Sequence, residues 1–245
     1  MNENTFKAII PLYQFARRSL PPKITIILLL LQEAIFRPVP EAIETKMVRS
    51  FCHADDTILE VGARTGVTTQ LLSSLVKEKG MVIAAEPNPF AFKLLRHRLR
   101  ALKNVLSVNV AIGDKNGRST LWMESAGDVG ASMSFHSRGH RVEVDMMKSD
   151  DLVAKLGVGL VDIVIVDSEG YEEKVLLGAQ SILSHARALI VEVHHFLDDN
   201  SGQKVDRIAS SFGYTKKETR IESTNPYITE NLYLRDGKKE PDERE

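Results

Sequence analysis

The stretch ADDTILEVGARTGVTTQLLSSLVKEKGMVIAAEPNPF, residues 54–90, decides the fold. Thr57 to Val61 is a short β-branched and apolar run, the pattern of a strand buried on both faces. Glu60, Gly62 and Gly66 follow as E-x-G-x-x-x-G. Glycine serves where the chain turns sharply or where backbone must approach a ligand with no Cβ in the way. Leu71, Leu72, Leu75 and Val76 recur at helical spacing, so a helix follows the turn. Its N-terminal amides offer a site for polar or negative ligand groups. Gly80 ends that helix, and Met81 to Ala85 is a second apolar strand that stops at an acid, Glu86. An acid about 20 residues beyond a glycine turn is placed to accept hydrogen bonds from ribose hydroxyls. Strand, glycine turn, helix, strand and terminal acid in that order read as a nucleoside-binding βαβ unit. The plainer alternative is a βαβ unit whose glycines only relieve crowding and whose Glu86 is solvated.

Outward from this unit, the composition sets limits. A chain of 245 residues can build one large α/β domain with a sizeable core. A net charge of −1 implies no polyanionic partner, so nucleic acid is not expected. The lone cysteine, Cys52, excludes an internal disulfide and a cysteine-rich zinc site, which suits the reducing cytoplasm.

Upstream, residues 1–53 form a separate N-terminal extension. Ile24 to Leu31 is apolar throughout but stops at Gln32-Glu33. That is short of the about 20 residues a spanning helix needs. Nor does Gln32 to Phe36 resemble a signal cleavage site. Two readings stay open: a helix packed on the domain, which is preferred, or one lying on a membrane surface through residues 5–36. Pro38 and Pro40 break that helix, and a short helix from Glu41 to Phe51 leads into the first strand.

Downstream, Phe90, Leu94, Leu95, Leu99 and Leu102 mark a second helix with a basic wet face. Val105 to Ile112 reads as a third strand, Ser119 to Met123 and Arg141 to Met147 as two more. Between these two lies a Gly- and Ser-rich loop, 124–140, either a surface excursion or a lid. Ser149 or Asp150 is placed to cap a short helix through Leu156. Leu160 to Val166 is the next buried strand, followed by Asp167-Ser168-Glu169-Gly170 and a helix from Glu172 to Leu183. Ala188 to Val193 is another strand, ending in Glu192-Val193-His194-His195. In open parallel sheets, ligands bind at these carboxyl ends. Alternation puts Glu192 and His194 on one face and His195 on the other. A helix over Val205–Phe212 precedes a hairpin of Tyr214–Ile221 with Asn231–Leu234, and 235–245 is a charged tail. The chain thus predicts a three-layer α/β sheet, mostly parallel, with a C-terminal antiparallel hairpin.

Five blocks in this order, ILEVGARTG, AAEPNP, VNVAIGDKNG, IVDSEGYEEKVLLGA and IVEVHHF, resemble the FkbM-type S-adenosylmethionine-dependent methyltransferases. The similarity runs from about Asp55 to Leu234, within a domain drawn over 54–234. It implies a Rossmann-like methyltransferase fold and S-adenosylmethionine as cofactor. It implies that Glu60, Gly62 and Gly66 hold the methionine portion, Glu86 the ribose, and Ala111 and Ile112 the adenine. It also implies methyl transfer to a hydroxyl oxygen of a small molecule, sugar or glycan. Three positions depart from the family pattern: Glu60 and Arg64 replace its Asp and Asn, and Ile165 replaces a lysine.

Transfer to oxygen needs in-line alignment and a group that removes the hydroxyl proton. Asp167, Glu169 and His194 are the catalytic candidates, with a neutral His194 or Glu169 as base and Asp167 positioning. No metal is assigned, although Asp167, Glu169 and Glu192 carry oxygen ligands that suit magnesium. Two other classes compete. A nicotinamide-dependent oxidoreductase is disfavoured by G-x-x-x-G in place of G-x-G-x-x-G. A non-catalytic module acting through its N-terminal helix is the third.

Overall fold

The computed structural model describes residues 47–123, 131–134, 139–195, 198, 200–222 and 225–235. The expected apolar N-terminal helix, most of the 124–140 loop and the charged tail lie outside the described residues. Residues 47–49 are helical, and Met47 and Val48 pack against Ile58 and Leu72.

The glycine-turn unit forms as its sequence directs. Strand β1 (Thr57–Val61) leads into helix α1 (Val67–Val76), then β2 (Met81–Ala85). Strand β1 sends Leu59 and Val61 into one core cluster and Ile58 into the other, so both faces are covered. Burying each such side chain contributes about 1.5–3 kcal/mol. Helix α2 (Pro89–Leu99) opens with proline in its first turn, and Asn88 Oδ1 accepts from the amides of Phe90 and Ala91. Strand β3 (Val105–Val108) then pairs parallel to β2.

The predicted third strand is broken. Beyond β3, residues Ala111–Ile112 form a separate strand, β4, in a second sheet with β5 (Gly117–Met123) and β6 (His140–Met147). Helix α3 (Ser149–Lys155) returns the chain to the main sheet at β7 (Ile163–Val166). The predicted single helix over 172–183 is two: α4 (Glu172–Leu177) and α5 (Gln180–His185). A Cβ at Gly178 would lie 2.0 Å from the Gly113 carbonyl oxygen, so the break seats one loop on another. Asp150 does not cap its own helix. Its carboxylate accepts from the amides of Ser181 (2.9 Å) and Ile182 (3.0 Å), capping α5 from across the fold.

Strand β8 (Ala188–His194), helix α6 (Ser201–Ser211), β9 (Tyr214–Ile221) and β10 (Ile228–Arg235) complete the chain. The main sheet has the order β3-β2-β1-β7-β8-β10-β9, parallel except for the two pairings of β10. This is the expected architecture: a mostly parallel Rossmann-like sheet closed by an antiparallel hairpin. No helix among the described residues is long and apolar enough to cross a membrane.

The chain leaves β1 toward β2 and β3, then returns to the other side of β1 with β7. The strand order reverses between β1 and β7, and a crevice opens outside the carboxyl ends of strands at such a point.

Candidate active site

Two chain ends meet at that crevice. Gly62 follows β1 with φ +90°, and a Cβ there would stand 1.7 Å from the Asp167 carbonyl oxygen. Only glycine permits this approach, which the hydrogen bond from Asp167 N–H to Val61 O (2.9 Å) locks. Gly66 serves differently. It precedes α1 with φ +80°, and the space beside it is taken by Leu95 and Leu99 of α2. Glu60 is buried beneath the turn and accepts from the Thr69 hydroxyl (2.6 Å).

Glu86 stands at the end of β2, 4% exposed. Its two oxygens accept one amide each, from Arg64 and from Asn88, both at 2.7 Å. Burial nevertheless pushes its carboxyl up to about 7, the two amides and the Arg64 charge opposing the rise.

A cleft opens to solvent between these ends. Gly62, Arg64 and Glu86 line one side, and Asp167, Ser168 and Glu169 the other. Val110, Ile112, Leu121 and Met133 form an apolar wall. Thus Gly62, Glu86, Ile112, Asp167 and Glu169 of the sequence candidates border the cleft, while Glu60, Gly66 and Ala111 stand behind it as support.

The turn after β7 is not extended. Glu169 takes φ +51° and Gly170 φ +93°. A left-handed glutamate is strained, and such strain persists where the surroundings over-determine it. Here they do. The hydroxyls of Ser132 and Ser134 donate to the carbonyls of Glu169 (2.8 Å) and Gly170 (2.7 Å), and Gly170 N–H donates to Glu172 Oε1 (2.7 Å).

Beneath this turn lies His194, 1% exposed. Its Nδ1 is 3.0 Å from Glu172 Oε1, and its Nε2 is 3.3 Å from both Glu169 Oε2 and Glu192 Oε1. Burial alone would favour the neutral ring, but the three carboxylates outweigh it and push the imidazole up to about 12. This balance favours the imidazolium over the neutral imidazole expected above. Glu192 and His194 do share a face, as alternation requires. His195 points away, its Nε2 2.8 Å from the Thr229 hydroxyl.

Asp167 feels the opposite balance. Burial, then the charges of Glu192 and Glu169, hold its carboxyl well above the usual range against the pull of Arg64 and His194. Its Oδ1 is buried with no hydrogen-bond partner among the described residues. Burial would raise Glu169 too, but the hydrogen bond to His194 wins and its carboxyl is lowered.

Arg64 and Glu172 are charged members of this site that carried no assigned role in the sequence. Arg64 was visible only as a substitution within the glycine turn. Nothing local distinguishes Glu172 from an ordinary acid in a helix's first turn.

Known methyltransferases resemble this chain in sequence and fold. The family model described as "Methyltransferase FkbM domain" matches residues 60–216. The chain is 25% identical over 155 residues to the 2-O-methyltransferase NoeI of Sinorhizobium fredii, covering 56% of this chain and 63% of that protein. It superposes on the methyltransferase FkbM of Methylobacillus flagellatus with TM-score 0.57 and 14% identity, covering 92% of this chain and 58% of that one. The chain thus spans less than two thirds of either relative. A similar fold, TM-score 0.50 and 10% identity, occurs in an O-methyltransferase from Bacillus cereus in complex with SAH, covering 92% and 97% of the two chains. With its family model matching well over half of its length, the chain belongs to the FkbM methyltransferase family.

Proposed function

We propose that this chain transfers a methyl group from S-adenosylmethionine to a hydroxyl oxygen of a small molecule, sugar or glycan. The observation that carries the reading is the cleft at the sheet's reversal point, with buried Glu86 on one rim and the Asp167–Glu169 turn on the other. Glu86 is buried, yet among the described residues each oxygen accepts one amide, leaving lone pairs for ribose hydroxyls. Gly62 leaves the turn open to close approach, and the apolar wall suits an adenine ring. The acid-lined side suits a ligand that carries positive charge. The residues present therefore fit this cofactor: Gly62 and the turn after β1 at its methionine portion, Glu86 at its ribose, and Val110 and Ile112 beside its base.

When bound, the cofactor supplies an electrophilic methyl carbon. The protein's task is alignment and removal of one proton. Glu169 is suited to the second task, because its side chain lines the cleft and is 36% exposed. His194 holds Glu169 in place, and Glu172 holds His194. Asp167 orients the acceptor or cofactor from the opposite side of the turn. That NoeI is a 2-O-methyltransferase by name supports oxygen as the atom methylated. The single cysteine favours a cytoplasmic setting for the reaction.

The test is calorimetric titration with S-adenosylmethionine, followed by turnover on a small-molecule and glycan extract with isotopically labelled methyl donor. Glu169→Ala should keep cofactor affinity and lose turnover by about 10²–10⁴. His195→Ala should leave both intact. Full turnover in Glu169→Ala would remove it from the proton-transfer role, and absent cofactor binding in the parent protein would refute the reading.

A further inference from the structure

The acids and imidazole at the carboxyl ends of β7 and β8 form a set that hydrogen bonding alone leaves incomplete. One ligand atom each from Asp167, Glu192 and His194 lie within 4.8 Å of one another. An octahedral ion with bonds of about 2.1 Å sets neighbouring ligand atoms about 3 Å apart and opposed ones about 4.2 Å apart. The 3.3 Å between His194 Nε2 and Glu192 Oε1 matches the neighbouring spacing.

Two further observations point to an occupant. Asp167 Oδ1 is fully buried in the protein without a hydrogen-bond partner among the described residues, which is costly for a carboxylate oxygen. The arrangement around the ring is also that of a ligating histidine. Nδ1 is committed to the buried carboxylate of Glu172, which fixes ring orientation and leaves Nε2 toward Glu192 and Glu169. Glu172 is itself fixed by Gly170 N–H. Among the described residues, four carboxylates, Asp167, Glu169, Glu172 and Glu192, crowd around two basic side chains here, Arg64 and His194. That excess suits a divalent ion.

We infer that Asp167, Glu192 and His194 form a binding site for a divalent cation at the floor of the cleft, Mn²⁺ foremost. A mixed carboxylate and imidazole set suits manganese better than magnesium, which prefers oxygen alone. The ion takes the place of the proton on His194 Nε2. Asp167 borders the cleft, so an acceptor hydroxyl can complete the coordination shell, where it gives up its proton more readily. That last role rests on the transferase reading; the site itself does not.

The experiment uses the full chain, stripped with chelator and supplied with Mn²⁺ alone, with no methyl donor present. Loss of the free Mn²⁺ electron-paramagnetic signal should report one equivalent bound. The melting temperature should rise by about 5 °C or more at a hundredfold excess over the dissociation constant. Asp167→Asn and Glu192→Gln should each weaken Mn²⁺ at least tenfold, with His195→Ala unchanged. No bound Mn²⁺ at millimolar concentration in the parent protein would overturn the site, whatever the folding of the variants. So would parental affinity in both variants, since the ion would then lie elsewhere. Because cofactor binding is measured separately, failure of the transferase reading leaves this result intact.

Discussion

Replacing Gly62 by Ala tests whether the meeting of β1 and β7 builds the site. The added Cβ would stand 1.7 Å from the Asp167 carbonyl oxygen, whereas real Cβ contacts do not fall below 3.0 Å, so the two chain ends must separate by more than an ångström. Three costs add: about 1–2 kcal/mol for an alanine at positive φ, about 1 kcal/mol for weakening the Asp167-to-Val61 hydrogen bond, and about 1–3 kcal/mol for overpacking. The sum, about 3–6 kcal/mol, lowers the melting temperature by about 10 °C or more in a domain of this size. Gly157→Ala is the control, since Gly157 also has positive φ (+67°) but nothing within 4 Å of a Cβ. It should lose only about 1–2 kcal/mol. Displacing Asp167 by an ångström should also cost about 100-fold in turnover. Thermal denaturation and cofactor titration of both variants give the answer. Equal stability loss in the two, with normal cofactor affinity in Gly62→Ala, would refute the reasoning.

Glu86 has a folded-state pKa of about 7 against an ordinary 4.5, so its favourable contribution is complete below about 4.5 and lost as pH rises through 7. Free-protein stability should fall by up to about 3 kcal/mol across that window, and Glu86→Gln should flatten it. Cofactor affinity should rise over the same window if ribose hydroxyls donate to the charged carboxylate; a flat profile in the parent protein would sink that contact. Asp150→Ala should cost about 1–2 kcal/mol by uncapping α5, read by urea denaturation, with cofactor affinity untouched. An unchanged unfolding midpoint would remove its carboxylate as the cap.

What the sequence discloses here follows burial and backbone geometry. Strands β1, β2, β7 and β8 announce themselves because a parallel sheet covered on both faces demands continuous apolar runs. Gly62 is legible because its conformation is a local property of one residue. The break at Gly178 is not, since it is imposed by the Gly113 backbone, far off in sequence. Asp150 looks like a cap for α3, and only the packing of α3 on α5 redirects it. The state of His194 was the hardest to foresee. Alternation supplies Glu192, but the third carboxylate, Glu172, reaches the ring from a helix packed on the strand, and it completes the set that disfavours an uncharged ring.

The place of β10 in the sheet bears on how the protein is made. Strand β8, which carries Glu192 and His194, has β7 on one side and β10 on the other. During synthesis the ribosome must reach residues 228–235 before that second neighbour exists. At about 5–20 residues per second, β8 spends seconds as an unpaired apolar edge. Chaperone dependence and nascent-chain aggregation should therefore be governed by this interval. Shortening the chain before Ile228 should leave an insoluble product, even though every residue bordering the cleft has already been synthesised.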